Sequence, residues 1–225
     1  MNLSKKYLII APHPDDEILG CGGTINKIIQ NKGQVAILTI CNHMPPLYKK
    51  KDGIKTLEEM KKVHNLLGIK RSTNLKFPAC LLFKEPQYQL NNLILKELSS
   101  FKPDFVFIPF PDRHQDHKIT FECSMVATRP KQNLSFVKGI FAYEVISETH
   151  WNSNYIEPNF QPDFHIDISN DLKMKLKCLS LYKSQISNKV PERSKEAIES
   201  LAKFRGSQNG FKAAESYKLI RFRLD

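Results

Sequence analysis

Residues 7–11, YLIIA, form an apolar run stopped at once by Pro12. A run this short with no polar alternation reads as a strand buried on both faces, as in a parallel sheet. A parallel neighbour requires a crossover, and the chain supplies a helical pattern next. Ile18, Leu19, Ile25, Ile28 and Ile29 make an apolar face, Asp15 or Asp16 is placed to cap the helix, and NKG at 31–33 ends it. QVAILTIC at 34–41 is then a second buried strand and completes a β-α-β unit.

The same alternation continues. A loop over 42–54, rich in proline, leads to a helix over 55–67, a short strand near 75–77, a helix over 88–101 and the strand FVFIP at 105–109. A polar stretch, PFPDRHQDHKIT, enters a helix over 118–127. Strands near 139–144 and 164–168, helices over 172–185 and 195–204, and an alternating strand over 216–224 complete the chain. The expected fold is α/β and Rossmann-like, a mostly parallel sheet with helices on both faces. No linker divides residues 1–225, so one domain is expected, long enough to bury a core without disulfides.

Composition bounds the function. No apolar stretch reaches the length of a membrane span, and the run after MNLSKK is too short for a signal-peptide core, which points to the cytoplasm. The five cysteines are odd in number and form no C-x-x-C pair, so they read as reduced thiols. Net charge is +11, from 34 Lys and Arg against 23 Asp and Glu. Scattered lysines fit a solvated surface first, an anionic substrate second and nucleic acid last, because basic and aromatic residues are not interleaved.

One stretch needs a partner. HPDDE places His13, Asp15, Asp16 and Glu17 within five positions just past the first strand. Carboxylates this close raise one another's pKa unless a cation or helix terminus compensates. HQDH, with His114, Asp116 and His117, lies beyond a later strand. Ligands in open α/β sheets bind beyond the carboxyl ends of strands, so the two loops are expected to converge on one pocket. Two histidines and a carboxylate make a catalytic zinc set with a position left for water. The alternative is that the aspartates are helix caps and the histidines surface residues.

At these motifs the chain resembles the LmbE-like, or PIG-L-like, zinc-dependent N-deacetylases, which remove acetyl groups from N-acetylated amino sugars. YEVIS at 143–147, DIS at 167–169, YKSQ at 182–185, PERS at 191–194, and RG at 205–206 followed by AES at 214–216 extend the likeness over nearly the whole chain. The resemblance implies one Zn²⁺ per chain on His13, Asp16 and His117, with Asp15 as general base. A carboxylate beside a metal and not bound to it suits that role. His114 then polarises the amide oxygen or protonates the leaving amine, Asp116 orients a histidine, and Glu17 is a first-turn residue favoured by the helix dipole.

The chain departs from the family in two places that bear on sugar or phosphate recognition. Cys41, Asn42 and His43 stand where many members carry Gly-Glu, and Lys55 lies near where they often have arginine. For the substrate, Arg193, Trp151 and Lys55 are candidates. Arg193 and Arg205 suit either an anionic group or ordinary salt bridges, and Trp151 and Tyr155 either a sugar ring or lid packing. His43 reads as a solvent-exposed loop residue, with an extra pocket residue as the alternative, and His64 as a helix-surface residue. The expected function is removal of acetyl from a small-molecule amino sugar. The rivals are an amidase acting on a sugar-thiol conjugate and a basic nucleic-acid or anionic-surface binder whose metal is structural.

Overall fold

The computed structural model describes residues 2–153, 155–156, 158–186 and 191–224. The first strand, β1 (Lys6–Ala11), precedes α1 (Asp16–Gln30), β2 (Gln34–Asn42), α2 (Lys50–Leu67), β3 (Arg71–Pro78), α3 (Gln87–Phe101) and β4 (Phe105–Pro109). The second half runs α4 (Gln115–Ala127), β5 (Gly139–Tyr143), β6 (Phe164–Asp167), α5 (Leu172–Leu179), α6 (Lys195–Ser207) and β7 (Ala214–Phe222). The strands form one sheet in the order β3-β2-β1-β4-β5-β7-β6. β1 to β5 pair parallel, and β7 runs antiparallel to both β5 and β6.

Side-chain alternation along the central strands splits the interior into two layers. Tyr7 and Ile9 of β1 face a layer with Ile18 and Ile25 of α1, Val63 of α2, Leu179 of α5 and Ile198 of α6. Leu8 and Ile10 face the opposite layer with Ile94 and Leu98 of α3 and Cys123 of α4. Both faces of the sheet are therefore covered, as the uninterrupted apolar runs required. Among the described residues, no helix is long and apolar enough to cross a membrane.

Several expected boundaries shift. β3 is longer than 75–77, because an edge strand that is only partly buried carries little apolar signal. Helix α2 begins at Lys50 and not at 55: the Asp52-Gly53 pair that read as loop lies inside its first turn. Helix α4 starts at Gln115, so Asp116 and His117 belong to its first turn and His114 is its N-cap. Helix α5 stops at Leu179, α6 extends to Ser207, and β7 spans 214–222.

Strand order reverses at β1, whose neighbours are β2 and β4. The loops leaving β1 and β4 therefore open side by side at the carboxyl edge of the sheet, where such folds hold ligands. Behind that edge α1 packs tightly on β5. A Cβ on Gly20 would lie 2.2 Å from the Tyr143 ring, and Tyr143 is fully buried with its hydroxyl donating to the Ile10 carbonyl at 2.8 Å. Gly20→Ala is expected to lower stability by about 1–3 kcal/mol through overpacking. Chemical denaturation measures this as a lower midpoint with an unchanged slope.

Candidate active site

The loop after β1 turns sharply. Asp15 has φ 112°, a conformation that costs a non-glycine residue energy unless its surroundings fix it. Asp15 stands at the N-cap of α1 without a side-chain capping bond, and Asp16 accepts from the His13 N–H at 2.9 Å, so the expected aspartate cap is absent. Glu17 does the anchoring. Its Oε2 accepts the Asp15 backbone N–H at 3.0 Å, and its Oε1 accepts the Tyr182 hydroxyl at 2.5 Å and faces His64 Nε2 at 3.3 Å. Glu17 is fully buried in the first turn of α1 and holds the loop from behind. His64, expected on a helix surface, is buried in this network with Nδ1 2.9 Å from Ser72 Oγ.

Three ligand atoms, one each from His13, Asp16 and His117, lie within 4.8 Å of one another. His13 Nδ1 is 3.1 Å and His117 Nε2 3.3 Å from Asp16 Oδ2. Each imidazole has a carboxylate behind its other nitrogen. His13 Nε2 is 2.8 Å from Asp116 Oδ2, which the Cys80 N–H also reaches at 2.6 Å. His117 Nδ1 is 2.9 Å from Asp112 Oδ2. These carboxylates can each accept an N–H bond, so that a neutral imidazole held this way turns the lone pair of its other nitrogen to the common centre, the arrangement of a metal-ligating pair. The donor set fits a divalent cation such as zinc.

The electrostatics agree. Burial alone would lower His13 and raise Asp16, yet hydrogen bonds to Asp116 and Asp16 push His13 up to about 9. His117 holds Asp16 well below the usual carboxylate range, its charge and hydrogen bond acting together with those of His13. His117 is likewise raised despite burial, by Asp16 and Asp112. The pocket draws positive charge, as the clustered carboxylates of HPDDE required. Burial pushes Asp15 up to about 8, opposed by Arg193 and reinforced by Asp16 and Glu17.

His114 is built the opposite way. Its Nδ1 accepts the Asp116 backbone N–H at 3.1 Å, so the neutral ring carries its hydrogen on Nε2. Burial, with the nearby charges of His13 and His117, lowers its pKa to about 4 and keeps it neutral. A second grouping, His13 with His114 and Asp116, also has ligand atoms within 4.8 Å. It suits a metal less well, because the His114 Nε2 lone pair is occupied by hydrogen and Asp116 Oδ2 already accepts two N–H bonds.

His13, Asp15, His114, His117 and Arg193 share one cavity of about 180 Å³. Arg193 Nη1 is 3.2 Å from Asp15 Oδ2 and its Nε donates to Ser147 Oγ at 2.7 Å, so this candidate substrate contact also clamps Asp15. Lys55 lies farther out, in an adjoining groove. Trp151 is half exposed and lies 5.6 Å from the Arg113 guanidinium; it does not line the cavity, and Tyr155 is fully exposed. Arg205 is likewise elsewhere, buried in a bidentate pair with Glu144 at 2.8 and 2.7 Å.

Sequence reading missed Asp112, which also accepts the His114 N–H and the Thr149 hydroxyl, both at 2.9 Å. Its signal was a carboxylate five residues before a candidate ligand in PDRHQDH. Tyr48, Cys80, Glu148 and Gln185 also line the cavity; Gln185 closes the YKSQ stretch at 182–185, and the other three were not marked by their local sequence.

Residues 8–128, more than half of the chain, match the family model described as PIG-L, GlcNAc-PI de-N-acetylase. Diacetylchitobiose deacetylase of Thermococcus kodakarensis is 26% identical over 96% of this chain and 83% of its own length. A probable N-acetyl-alpha-D-glucosaminyl L-malate deacetylase 2 of Bacillus anthracis is 26% identical over 87% of this chain and 88% of its own. Among solved structures, the N,N'-diacetylchitobiose deacetylase of Pyrococcus horikoshii in complex with an inhibitor superposes with a TM-score of 0.77 at 22% identity. That likeness covers 96% of this chain and 84% of the other and is one of fold.

The carboxylate behind His117 yields a direct expectation. Asp112→Asn keeps the shape but removes the charge that fixes the imidazole, so metal affinity should fall about 10- to 100-fold. Competition against a chromophoric chelator measures it.

Proposed function

The chain belongs to the PIG-L de-N-acetylase family and is a hydrolytic deacetylase, and on that premise we propose that it removes acetyl from an N-acetylated amino sugar using one zinc ion held by His13, Asp16 and His117. The observation that carries the reading is that the mutually close ligand atoms of His13, Asp16 and His117 lie beside a cavity lined by His13 and His117 together with the buried Asp15 carboxylate and His114. The relatives named for diacetylchitobiose and for N-acetyl-alpha-D-glucosaminyl L-malate support a sugar as the acetyl carrier. The five free cysteines support a reducing, cytoplasmic setting.

Zinc at this position supplies Lewis acidity, bringing a water's pKa to about 7 and offsetting charge on the carbonyl oxygen. The chain's own groups do the rest. Asp15, aimed by Arg193 and Glu17, accepts in its ionised form the proton of the water whose oxygen bonds to the acetyl carbon. As that carbon becomes tetrahedral, His114 donates its Nε2–H to the oxygen bearing the new negative charge. A neutral imidazole near pH 7 acts here as a donor and not as an acid, because its pKa is about 4. Asp15 then passes its proton to the nitrogen as the carbon–nitrogen bond breaks, and acetate and a free amine result.

Asp15→Ala should retain zinc and lose about 10²- to 10⁴-fold in kcat, whereas His13→Ala should lose both metal and activity. Amine release from a panel of N-acetylated sugars, run beside metal analysis, separates the two. Full activity in zinc-loaded Asp15→Ala overturns its role. Activity that survives chelation and does not respond to added zinc overturns the metal mechanism.

A further inference from the structure

His43 stands in the Cys41-Asn42-His43 segment that ends β2, where no catalytic task has been assigned. It is not the solvent-facing loop residue that the sequence suggested. It is half buried and lines both the zinc-site cavity and the adjoining groove of about 350 Å³, so an occupant reaching from one to the other passes it.

Three restraints fix its ring. One face stacks on Tyr48 with centroids 4.3 Å apart and planes 22° from parallel. Nδ1 lies 3.3 Å from Thr56 Oγ1, whose own hydrogen is donated to the Asp52 carbonyl at 2.9 Å. Thr56 is buried and has only one hydrogen to give, so toward His43 it acts as acceptor, and the imidazole hydrogen sits on Nδ1. The backbone is seated by Gly53, where a Cβ would lie 2.0 Å from the His43 carbonyl oxygen; only glycine lets the first turn of α2 come this close. The opposite nitrogen, Nε2, has no hydrogen-bond partner among the described residues. It is a lone-pair acceptor on a ring that lines the cavity. Burial, with the charges of His13 and Arg193, lowers the pKa of His43 and keeps the ring neutral.

We propose that His43 is a specificity-determining residue whose Nε2 accepts a hydrogen bond from a hydroxyl of the amino sugar while the acetamide is seated at His13, Asp16 and His117. The inference rests on the sugar-deacetylase reading above. An uncharged acceptor reads a neutral hydroxyl donor, and a sugar bearing an acetamide carries hydroxyls on nearby ring carbons. The stacked His43–Tyr48 pair gives the acceptor a fixed direction, which is what discrimination between positions on a ring requires.

The test compares N-acetylglucosamine, as the free sugar and as a simple glycoside, with its 3-deoxy, 4-deoxy and 6-deoxy analogues, using zinc-loaded wild type, His43→Phe, His43→Gln and Thr56→Val. Phenylalanine keeps the stack and removes the acceptor, glutamine restores an acceptor, and valine frees the tautomer. Wild type is expected to lose about 10- to 100-fold in kcat/KM on one deoxy analogue, the cost of a stranded acceptor. His43→Phe should treat that analogue and the parent sugar alike, with zinc content unchanged. His43→Gln should recover part of the preference, and Thr56→Val should weaken it. Equal turnover of all analogues by wild type overturns the proposal, as does discrimination that persists in zinc-loaded His43→Phe. If that variant does not fold, undiminished discrimination in Thr56→Val overturns it. Those results leave deacetylation standing, whereas no release from any N-acetyl sugar by zinc-loaded wild type overturns both readings.

Discussion

Five carboxylates, Asp15, Asp16, Glu17, Asp112 and Asp116, are buried to 2% exposure or less around one cavity, and the surrounding structure is arranged to keep them there. Buried charge without a partner costs several kcal/mol, so each must be matched. Asp15 meets Arg193, and Asp16 lies between His13 and His117. Glu17 takes a hydroxyl and a backbone N–H, while Asp112 and Asp116 each combine a backbone N–H with an imidazole. These partners come from α2, the turn after α5, the segment at 191–193 and the residues following β3. The ends of distant elements are thus tied to the loops after β1 and β4.

Sheet topology makes this matching achievable. Reversal of strand order at β1 sets the two acid-rich loops next to each other without either having to cross the sheet. The strands beneath them are buried on both faces and deform little, so the loops inherit a rigid floor. One strained backbone conformation, at Asp15, is then sustained by Glu17 from below while Arg193 holds the side chain from above. A carboxylate that, as proposed for Asp15, would reach a water beside a metal without becoming a ligand itself gains from being fixed at both ends.

Apolar runs in the central strands and the residues of HPDDE and HQDH were legible in sequence because their signals are local. Buried parallel strands have no polar alternation, and a crowd of carboxylates after one of them is conspicuous. Less legible was whatever depends on long-range pairing. β3 was under-read because an edge strand carries weak hydropathy. His64 was misplaced because its partner Glu17 lies 47 positions away. Trp151 and Lys55 looked suitable for a sugar by residue type alone, yet one is held outside the cavity beside Arg113 and the other lies in the outer groove. Arg193 was found as a candidate for the substrate, and its bond to Asp15 required three dimensions to see.

The four histidines of the site show how one side chain is given different chemistry by what stands behind it. An imidazole has two nitrogens and, when neutral, a single hydrogen, so fixing one nitrogen determines what the other can do. Asp116 and Asp112 behind His13 and His117 take the hydrogen and leave lone pairs converging on Asp16, which suits a cation. A backbone N–H behind His114 takes the lone pair and leaves an N–H facing the cavity, which suits a developing oxyanion. Thr56 behind His43, with its own hydrogen spent on the Asp52 carbonyl, again takes a hydrogen and leaves an acceptor. In the proposed mechanism, ligand, electrophile and hydroxyl reader therefore differ less in the residue than in its partner, which gives Asp112, Asp116 and Thr56 a part in the chemistry although they stand behind the side chains assigned to it.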